Sequence, residues 1–307
     1  MTDGQADSGT VLLRPAPERR AGRAWTPAVL RGLLFLILGL FVLYYTLPLF
    51  VMIVTSLKSL EEIRLGSLLG LPQAIELTSW KTAWESACTG VSCHGLKPYF
   101  WNSIVLVVPA VAISTALGAI NGYAISKWRF PGSNAIFGLM LFGCFIPFQV
   151  ILLPMAITLG VINLAGSVTG LILVHVVYGI GFTTLFFRNY YVTVPDELVK
   201  AAKVDGAGFL TIFTRIFLPL SAPVIVVTVI WQFTNIWNDF LFGVSFSQGG
   251  SQPITVALNN IVNSTTGVKE YNVDMAAAII AAIPTLLVYI VAGKYFIRGL
   301  TAGSVKG

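Results

Sequence analysis

Charged side chains are scarce in this 307-residue sequence, which has 10% Asp, Glu, Lys and Arg but 56% hydrophobic residues. Ordinary soluble domains carry roughly a quarter charged residues, so a water-soluble protein of this length could hardly cover its surface. The net charge is +6, but no basic patch with interleaved aromatics is present, and we expect no nucleic-acid partner. The composition indicates one membrane-embedded bundle rather than two globular domains.

Cysteine and histidine are also rare, with three and two residues respectively. Cys88 and Cys93 flank a short glycine-containing segment, which on the oxidising side of a membrane can close a small disulfide ring. Two free thiols are the alternative. A metal site that includes His94 would have three ligands, whereas structural zinc normally takes four, so we predict no metal site. The sequence also lacks G-x-x-x-x-G-K-[ST], so this chain does not bind nucleotide through such a loop.

Six apolar runs are long enough to cross a hydrocarbon core of roughly 30 Å as helices. Several contain proline, which predicts kinks. Gly118 and Gly122, four residues apart in the second run, would allow a close helix crossing. The runs are Leu33–Leu57, Trp101–Ile125, Ala135–Ile157, Val168–Phe187, Leu220–Phe242 and Met275–Ile297.

The distribution of Lys and Arg predicts the orientation of these spans. If both termini are cytoplasmic, all but five of the 19 Lys and Arg lie on the cytoplasmic side. We therefore predict an all-α integral membrane protein with six transmembrane helices and both termini in the cytoplasm. Residues 1–30 are expected to form a disordered cytoplasmic tail, and residues 31–307 the transmembrane domain. The five outer cations are Lys58, Arg64, Lys81, Lys97 and Lys269.

A polar segment, Pro195–Pro219, separates the fourth and fifth runs and would face the cytoplasm. Pro195 suits the start of a short helix, which Gly206 can end, and a second amphipathic helix then leads into the fifth run. Leu198, Ala201 and Ala202 fall at helical spacing, and the small alanines permit close approach to another protein. The alternative is an ordinary amphipathic loop that lies on the membrane.

The motif in this segment resembles the cytoplasmic coupling loop of permease subunits in binding-protein-dependent ABC importers. The matching residues are Ala201-Ala202, Asp205-Gly206-Ala207 and Ile216-x-Leu218-Pro219, within a loop at 192–219. Lys200 stands where the family usually has Glu, and Glu197 lies one turn earlier. The resemblance assigns ATPase coupling to Glu197, Lys200, Ala201, Ala202, Asp205, Gly206, Ala207, Leu218 and Pro219.

Two further segments, 231–240 and 295–307, look like the carbohydrate branch of this family, specifically the second permease of maltose-type importers. The cysteine loop and segment 187–197 look most like glucose/mannose-type permeases. The resemblance implies the type I permease fold and an inner-membrane permease, not catalytic alone, for glucose or mannose import by alternating access. A di- or oligosaccharide or a polyol is the alternative cargo, and a stand-alone secondary transporter the less favoured function.

The same resemblance implies a multi-pass protein of the bacterial cytoplasmic (inner) membrane that has four partners. These are an ATPase dimer that binds ATP and Mg²⁺, a second permease subunit, an extracytoplasmic sugar-binding protein and the sugar. This chain itself is expected to bind no cofactor.

Polar side chains in the fifth run are candidates for the sugar path, because polar groups inside a membrane are costly. Gln232, Asn235 and Asp239 share one helix face, and Asn238 lies on an adjoining stripe. Amides, carboxylates and aromatic faces suit a sugar. The alternative is hydrogen bonding between helices. His175, in the fourth run, is interpreted as a packing residue rather than a proton relay.

Overall fold

The computed structural model describes residues 27–90, 92–128, 130–264 and 267–302, and its regular structure in these ranges is helical apart from an isolated bridge between Gly166 and Ser247. The predicted N-terminal tail, residues 1–30, therefore lies almost wholly outside the described residues, as do residues 303–307 of the segment 295–307. The longer helices are α1 (Pro27–Ser56), α4 (Lys97–Tyr123), α5 (Ser133–Phe145), α6 (Phe148–Val161), α7 (Val168–Val192), α11 (Ala222–Trp237) and α14 (Tyr271–Ala302).

Short helices connect these elements. They are α2 (Leu60–Leu65), α3 (Thr78–Glu85), α8 (Asp196–Val204), α9 (Phe209–Ile212), α10 (Leu218–Leu220), α12 (Leu241–Phe246) and α13 (Ile254–Val262). Two π-helical turns, Ala124–Trp128 and Phe213–Phe217, follow α4 and α9, and a 3-10 turn spans Gly249–Ser251.

Among the described residues, four unbroken helical segments are long and apolar enough to cross a membrane: Val29–Ser56, Lys97–Trp128, Val168–Val192 and Tyr271–Gly293. Two bent helix pairs bring the number to six if each pair forms one span. The all-helical fold with up to six spans thus agrees with the prediction. The orientation of the termini stays a prediction.

The third and fifth predicted runs are not single straight helices. The third is broken between α5 and α6 by a bend of 101°. Pro147 causes the break, because it disfavours helical geometry at Ile146, whose ψ is 126°, and removes a backbone donor. The helix of the fifth run, α11, begins after a bend of 77° at Ser221 that separates it from Phe209–Leu220, and it ends at Trp237 instead of Phe242. Other prolines, such as Pro109, lie inside uninterrupted helices.

The described chain divides into two compact units, one ending at Phe50 and the other beginning at Val51. In the first unit the apolar side chains of α1 are largely exposed, as expected for a lipid-facing helix. The second unit contains two clusters of buried hydrophobic residues. Trp237 belongs to the larger cluster and donates its indole N–H to the carbonyl of Ala281 at 2.9 Å.

Helices α4 and α7 form the most extensive helix interface of the second unit. A Cβ atom at Gly118 would lie 2.5 Å from the Cβ of Thr183, and one at Gly122 would lie 2.7 Å from the Cβ of Phe187. Both distances are too short for real side chains, so the close crossing predicted from these glycines is confirmed.

Candidate coupling and transport site

Helix α8 forms the centre of the predicted coupling segment and has well-defined ends. It starts directly after Pro195 and carries two acidic residues in its first turn, where the helix dipole favours them. At its end, Gly206 donates its N–H to Lys203 O at 3.0 Å and Ala207 donates to Ala202 O at 2.9 Å. With Gly206 at φ +79°, this is a Schellman motif. The predicted order of helix, glycine break and second helix is present.

Two lysines connect α8 and the residues just before it to the π-helical turn Ala124–Trp128, which follows α4. The Lys127 ammonium lies 2.5 Å from the Asp196 carboxylate and 2.5 Å from the carbonyl of Val194. Only 4% of the Lys127 side chain is exposed. The Asp196 carboxylate and the Val194 carbonyl therefore compensate a charge that has little contact with water. At the other end of α8, the Lys203 ammonium lies 4.2 Å from the Trp128 ring centroid, in a cation–π contact.

An aromatic cluster holds the segment after α8 against the bundle. The Tyr123 ring lies 4.8, 5.5 and 4.7 Å from the rings of Phe209, Phe213 and Phe217. Nearby, the Tyr191 and Ser221 hydroxyls are 2.7 Å apart and buried. The contacts anchor α9, the π-helical turn that follows it and the start of α11 on α4 and α7.

The outer face of α8 is apolar and exposed. Leu198 is 42% and Val204 87% exposed, and Ala201 is also exposed. Ala202 instead packs partly buried beside Val199 in the smaller hydrophobic cluster. The predicted common face of Leu198, Ala201 and Ala202 is therefore divided, because Leu198 and Ala201 are exposed whereas Ala202 is partly buried. The remaining predicted coupling residues that are exposed are Glu197, Lys200, Asp205, Gly206, Leu218 and Pro219, while Ala207 is partly buried.

A cavity of about 310 Å³ lies between α7 and α11. Both polar and aromatic side chains contribute to its wall. Those that bear on its chemistry are His175, Tyr178, Trp231, Gln232, Asn235 and Asp239.

The four predicted path residues have different surroundings. Gln232 lines the cavity, but its amide nitrogen donates to the Ser114 hydroxyl at 2.7 Å, so it also links α11 to α4. Asn235 lines the cavity and is exposed. Asn238 is not among the lining residues and lies 3.5 Å from Thr285, on another face of the helix.

His175 is the cavity residue whose position the sequence did not reveal. Its Nε2 atom lies 3.6 Å from a carboxylate oxygen of Asp239, which follows α11. No acidic residue lies near His175 within its own helix, so sequence spacing gave no signal for this proximity. The Asp239 carboxylate accepts hydrogen bonds from the backbone N–H groups of Phe242 at 3.3 Å and Gly243 at 3.0 Å.

Cys88 and Cys93 are joined in a disulfide within the segment that follows α3. His94 is exposed beside them. Within the described ranges, no group of three or more His, Cys, Asp and Glu side chains is arranged to hold a metal ion. Cys144 is a free, partly buried cysteine of α5.

Comparison with known families decides what kind of protein carries these features. Residues 114–301 match the family described as "Binding-protein-dependent transport system inner membrane component". This chain belongs to that family. The matched residues include α8, all the residues named as lining the cavity, and the part of the α4–α7 contact from Ser114 onward in α4. The chain is thus a multi-pass inner-membrane permease component of an ABC transporter, not catalytic alone, and a partner ATPase hydrolyses the ATP.

Individual relatives agree with this assignment. A probable ABC transporter permease of Pyrococcus horikoshii is 49% identical over 61% of this chain and 68% of its own length. The xylose/arabinose import permease protein XacI of Haloferax volcanii is 33% identical over 67% of this chain and 73% of its own length.

A solved structure supports the fold. It is the crystal structure of a bacterial ABC transporter involved in the import of the acidic polysaccharide alginate, and one of its chains has a TM-score of 0.77 to this permease at 20% identity. The likeness covers 89% of this permease and 98% of that chain. At this identity the likeness shows the fold alone, which is the predicted importer permease fold.

Proposed function

We propose that this permease component imports a monosaccharide, such as glucose or mannose, by ATP-driven alternating access. The Haloferax volcanii relative is named for xylose and arabinose, which are both monosaccharides. The cavity of about 310 Å³ is at the small end of the range for ligand sites, and this suits one sugar ring better than a longer chain. We propose Gln232, Asn235 and Asp239 as its polar contacts, with Asn238 further along the path.

The proposed coupling surface is the exposed face of α8 and its flanks. Leu198, Ala201 and Val204 supply apolar contacts for a groove on the ATPase subunit, and Glu197 and Lys200 lie beside them as exposed charges. The partners in this proposal are an ATPase dimer, which binds ATP and Mg²⁺, a second permease subunit and an extracytoplasmic sugar-binding protein. This chain supplies the sugar path and the coupling helix α8.

The observation that carries the proposal is the short physical connection between α8 and the cavity. The chain runs from the Schellman motif at Gly206 through α9 and α10 directly into α11, which carries Gln232 and Asn235. Tyr123 and Tyr191 hold this connection on α4 and α7. A displacement of α8 is therefore passed to helices that line the cavity, as rigid-body rocking of a transporter requires.

The test is sugar uptake by proteoliposomes that contain the complete complex with its ATPase, second permease and binding protein. We expect accumulation of labelled glucose or mannose that depends on ATP. Gly206→Pro should abolish uptake and coupled ATP hydrolysis and weaken assembly, because proline cannot adopt φ +79° and lacks the N–H bonded to Lys203.

Gly208→Ala is the matched control, since Gly208 has φ −81° and no atom within 4 Å of the position that a Cβ would take. Its uptake should equal that of the unaltered complex. Normal transport by Gly206→Pro would contradict the role of α8. Accumulation of maltose or a polyol in place of glucose and mannose would support the alternative cargo and refute the monosaccharide assignment.

A further inference from the structure

We propose that His175 and Asp239 form a binding subsite for a single sugar ring within this subunit, with Trp231 and Tyr178 as its aromatic walls. The inference rests on the proposed function and adds to it the residues that recognise the sugar. It also changes the interpretation of His175, which the sequence had indicated as a packing residue.

The first argument is an unsatisfied nitrogen. His175 is only 6% exposed, and its Nε2 atom has no hydrogen-bond partner within the described residues. Buried polar atoms are almost always hydrogen-bonded, because an unmade bond leaves the cost of desolvation without compensation. His175 lines the cavity, so a ligand there is able to supply the missing partner.

The second argument is the distance between the two polar groups. The separation of 3.6 Å between His175 Nε2 and Asp239 Oδ2 is too long for a direct hydrogen bond. It does leave room for one oxygen atom at about 2.8 Å from both atoms, which is the usual distance for such bonds. A sugar hydroxyl fits this position because it donates to the carboxylate and accepts from an imidazole N–H at the same time.

The Asp239 carboxylate is also held in place before any ligand arrives. Backbone N–H groups of Phe242 and Gly243 donate to its two oxygens at 3.3 and 3.0 Å. A carboxylate fixed in this way loses little conformational entropy when it binds a hydroxyl, and preorganisation of this kind favours binding.

The aromatic walls are fixed by their neighbours. The Trp231 ring lies 4.9 Å from the Phe182 ring, and the Tyr178 ring lies 5.5 Å from the Phe242 ring. Ring faces of this kind pack against the C–H face of a sugar while the polar groups bind its hydroxyls. Asn235 also lines this cavity and is exposed.

The experiment compares His175→Leu and Asp239→Asn with the unaltered permease in the reconstituted complex. Leucine removes both ring nitrogens but keeps apolar bulk, and asparagine removes the charge but keeps an oxygen that accepts a backbone N–H of α12. The readouts are the maximal uptake rates of radiolabelled D-glucose and D-mannose at saturating binding protein, together with the binding-protein-stimulated ATPase rate. His94→Gln is the histidine control, because His94 is exposed and is not among the residues that line this cavity.

We expect each variant to lower maximal sugar uptake about tenfold, which corresponds to the loss of one good hydrogen bond. Stimulated ATP hydrolysis should persist, and His94→Gln should change neither rate. His175→Gln, which retains a donor and an acceptor, should restore part of the uptake. A packing role alone predicts the opposite, with leucine tolerated better than glutamine.

If His175→Leu does not assemble, Asp239→Asn and Asn235→Leu decide the question by the same readouts, since Asn235 is exposed and its amide bonds only the backbone of its own helix in the described contacts. Unchanged uptake in assembled variants would overturn the subsite and the sugar contacts proposed at Asp239 and Asn235, while ATP-driven uptake by the unaltered complex would still support the import function. If the unaltered complex accumulates no sugar, the proposed function fails and the subsite fails with it.

Discussion

At the scale of single residues, glycine decides how closely α4 and α7 approach. Gly118 and Gly122 lie on the contact face of α4, where a methyl group would collide with α7. The closeness also lets the Thr183 hydroxyl donate to the carbonyl of Ser114 at 2.9 Å. Inside a membrane, such packing and hydrogen bonds replace the hydrophobic effect as the source of helix association.

The first prediction concerns Gly122→Ala. A Cβ at this position would lie 2.7 Å from the backbone nitrogen of Arg188, which cannot move without displacing α7. We expect a loss of about 1–3 kcal/mol in stability, typical of overpacking. The measurement is thermal unfolding of the detergent-purified permease.

The control is Gly138→Ala in α5, where nothing lies within 4 Å of the added carbon. Alanine favours helix at such a site, so the stability should be equal or slightly higher. Equal melting of the two variants would show that the α4–α7 crossing is looser than these distances require.

At the scale of elements, α8 is a short helix whose position depends on its attachments. A helix of nine residues is not stable by itself in water. The Lys127–Asp196 ion pair, the Lys203–Trp128 contact and buried Val199 therefore set both its orientation and its order.

The second prediction is that Lys127→Met loosens α8. The variant removes the ammonium that bonds Asp196 and Val194, and because Asp196 is half exposed the loss should be about 1 kcal/mol. Hydrogen–deuterium exchange of residues 196–204 should become faster, and ATP hydrolysis should be less tightly coupled to uptake. Lys81→Met, at an exposed site on α3, should leave both unchanged, and equally slow exchange in both variants would contradict the anchoring role.

The sequence was informative about elements whose signals are local. Pro195 and Gly206 predicted the start and the end of α8, and long apolar runs predicted α4 and α7. The break between α5 and α6 was less predictable, because proline inside an apolar run is compatible with an intact helix, as at Pro109, or with a bend of 101°, as at Pro147. The sequence alone does not distinguish these two outcomes.

At the scale of the whole molecule, the candidate cavity depends on contacts between distant parts of the chain. Gln232, Asn235 and Asp239 were found from their shared helix face, but His175 was not, because its proximity to Asp239 arises only when α7 packs beside α11. Asn238, on the adjoining stripe, contacts Thr285 and does not line this cavity, so its place on the path stays a prediction. Spacing along one helix does not show which face a neighbouring helix covers.

The third prediction concerns the orientation of the molecule in the membrane. The excess of Lys and Arg on one set of loops predicts that α8 is cytoplasmic and α3 is outside. In a Cys144→Ser background, which removes the free cysteine, single cysteines are introduced as Glu85→Cys and Lys200→Cys, both at exposed positions. A membrane-impermeant maleimide added to intact cells should label Glu85→Cys alone.

Permeabilised cells provide the control, since both variants should then react. Labelling of Lys200→Cys in intact cells would place α8 on the wrong side for a cytoplasmic ATPase and would contradict the coupling role of this helix. The same reversal would place the Cys88–Cys93 disulfide in the reducing cytoplasm, where such bonds rarely persist. The distribution of basic residues and the position of the disulfide therefore support the same orientation through independent physical causes.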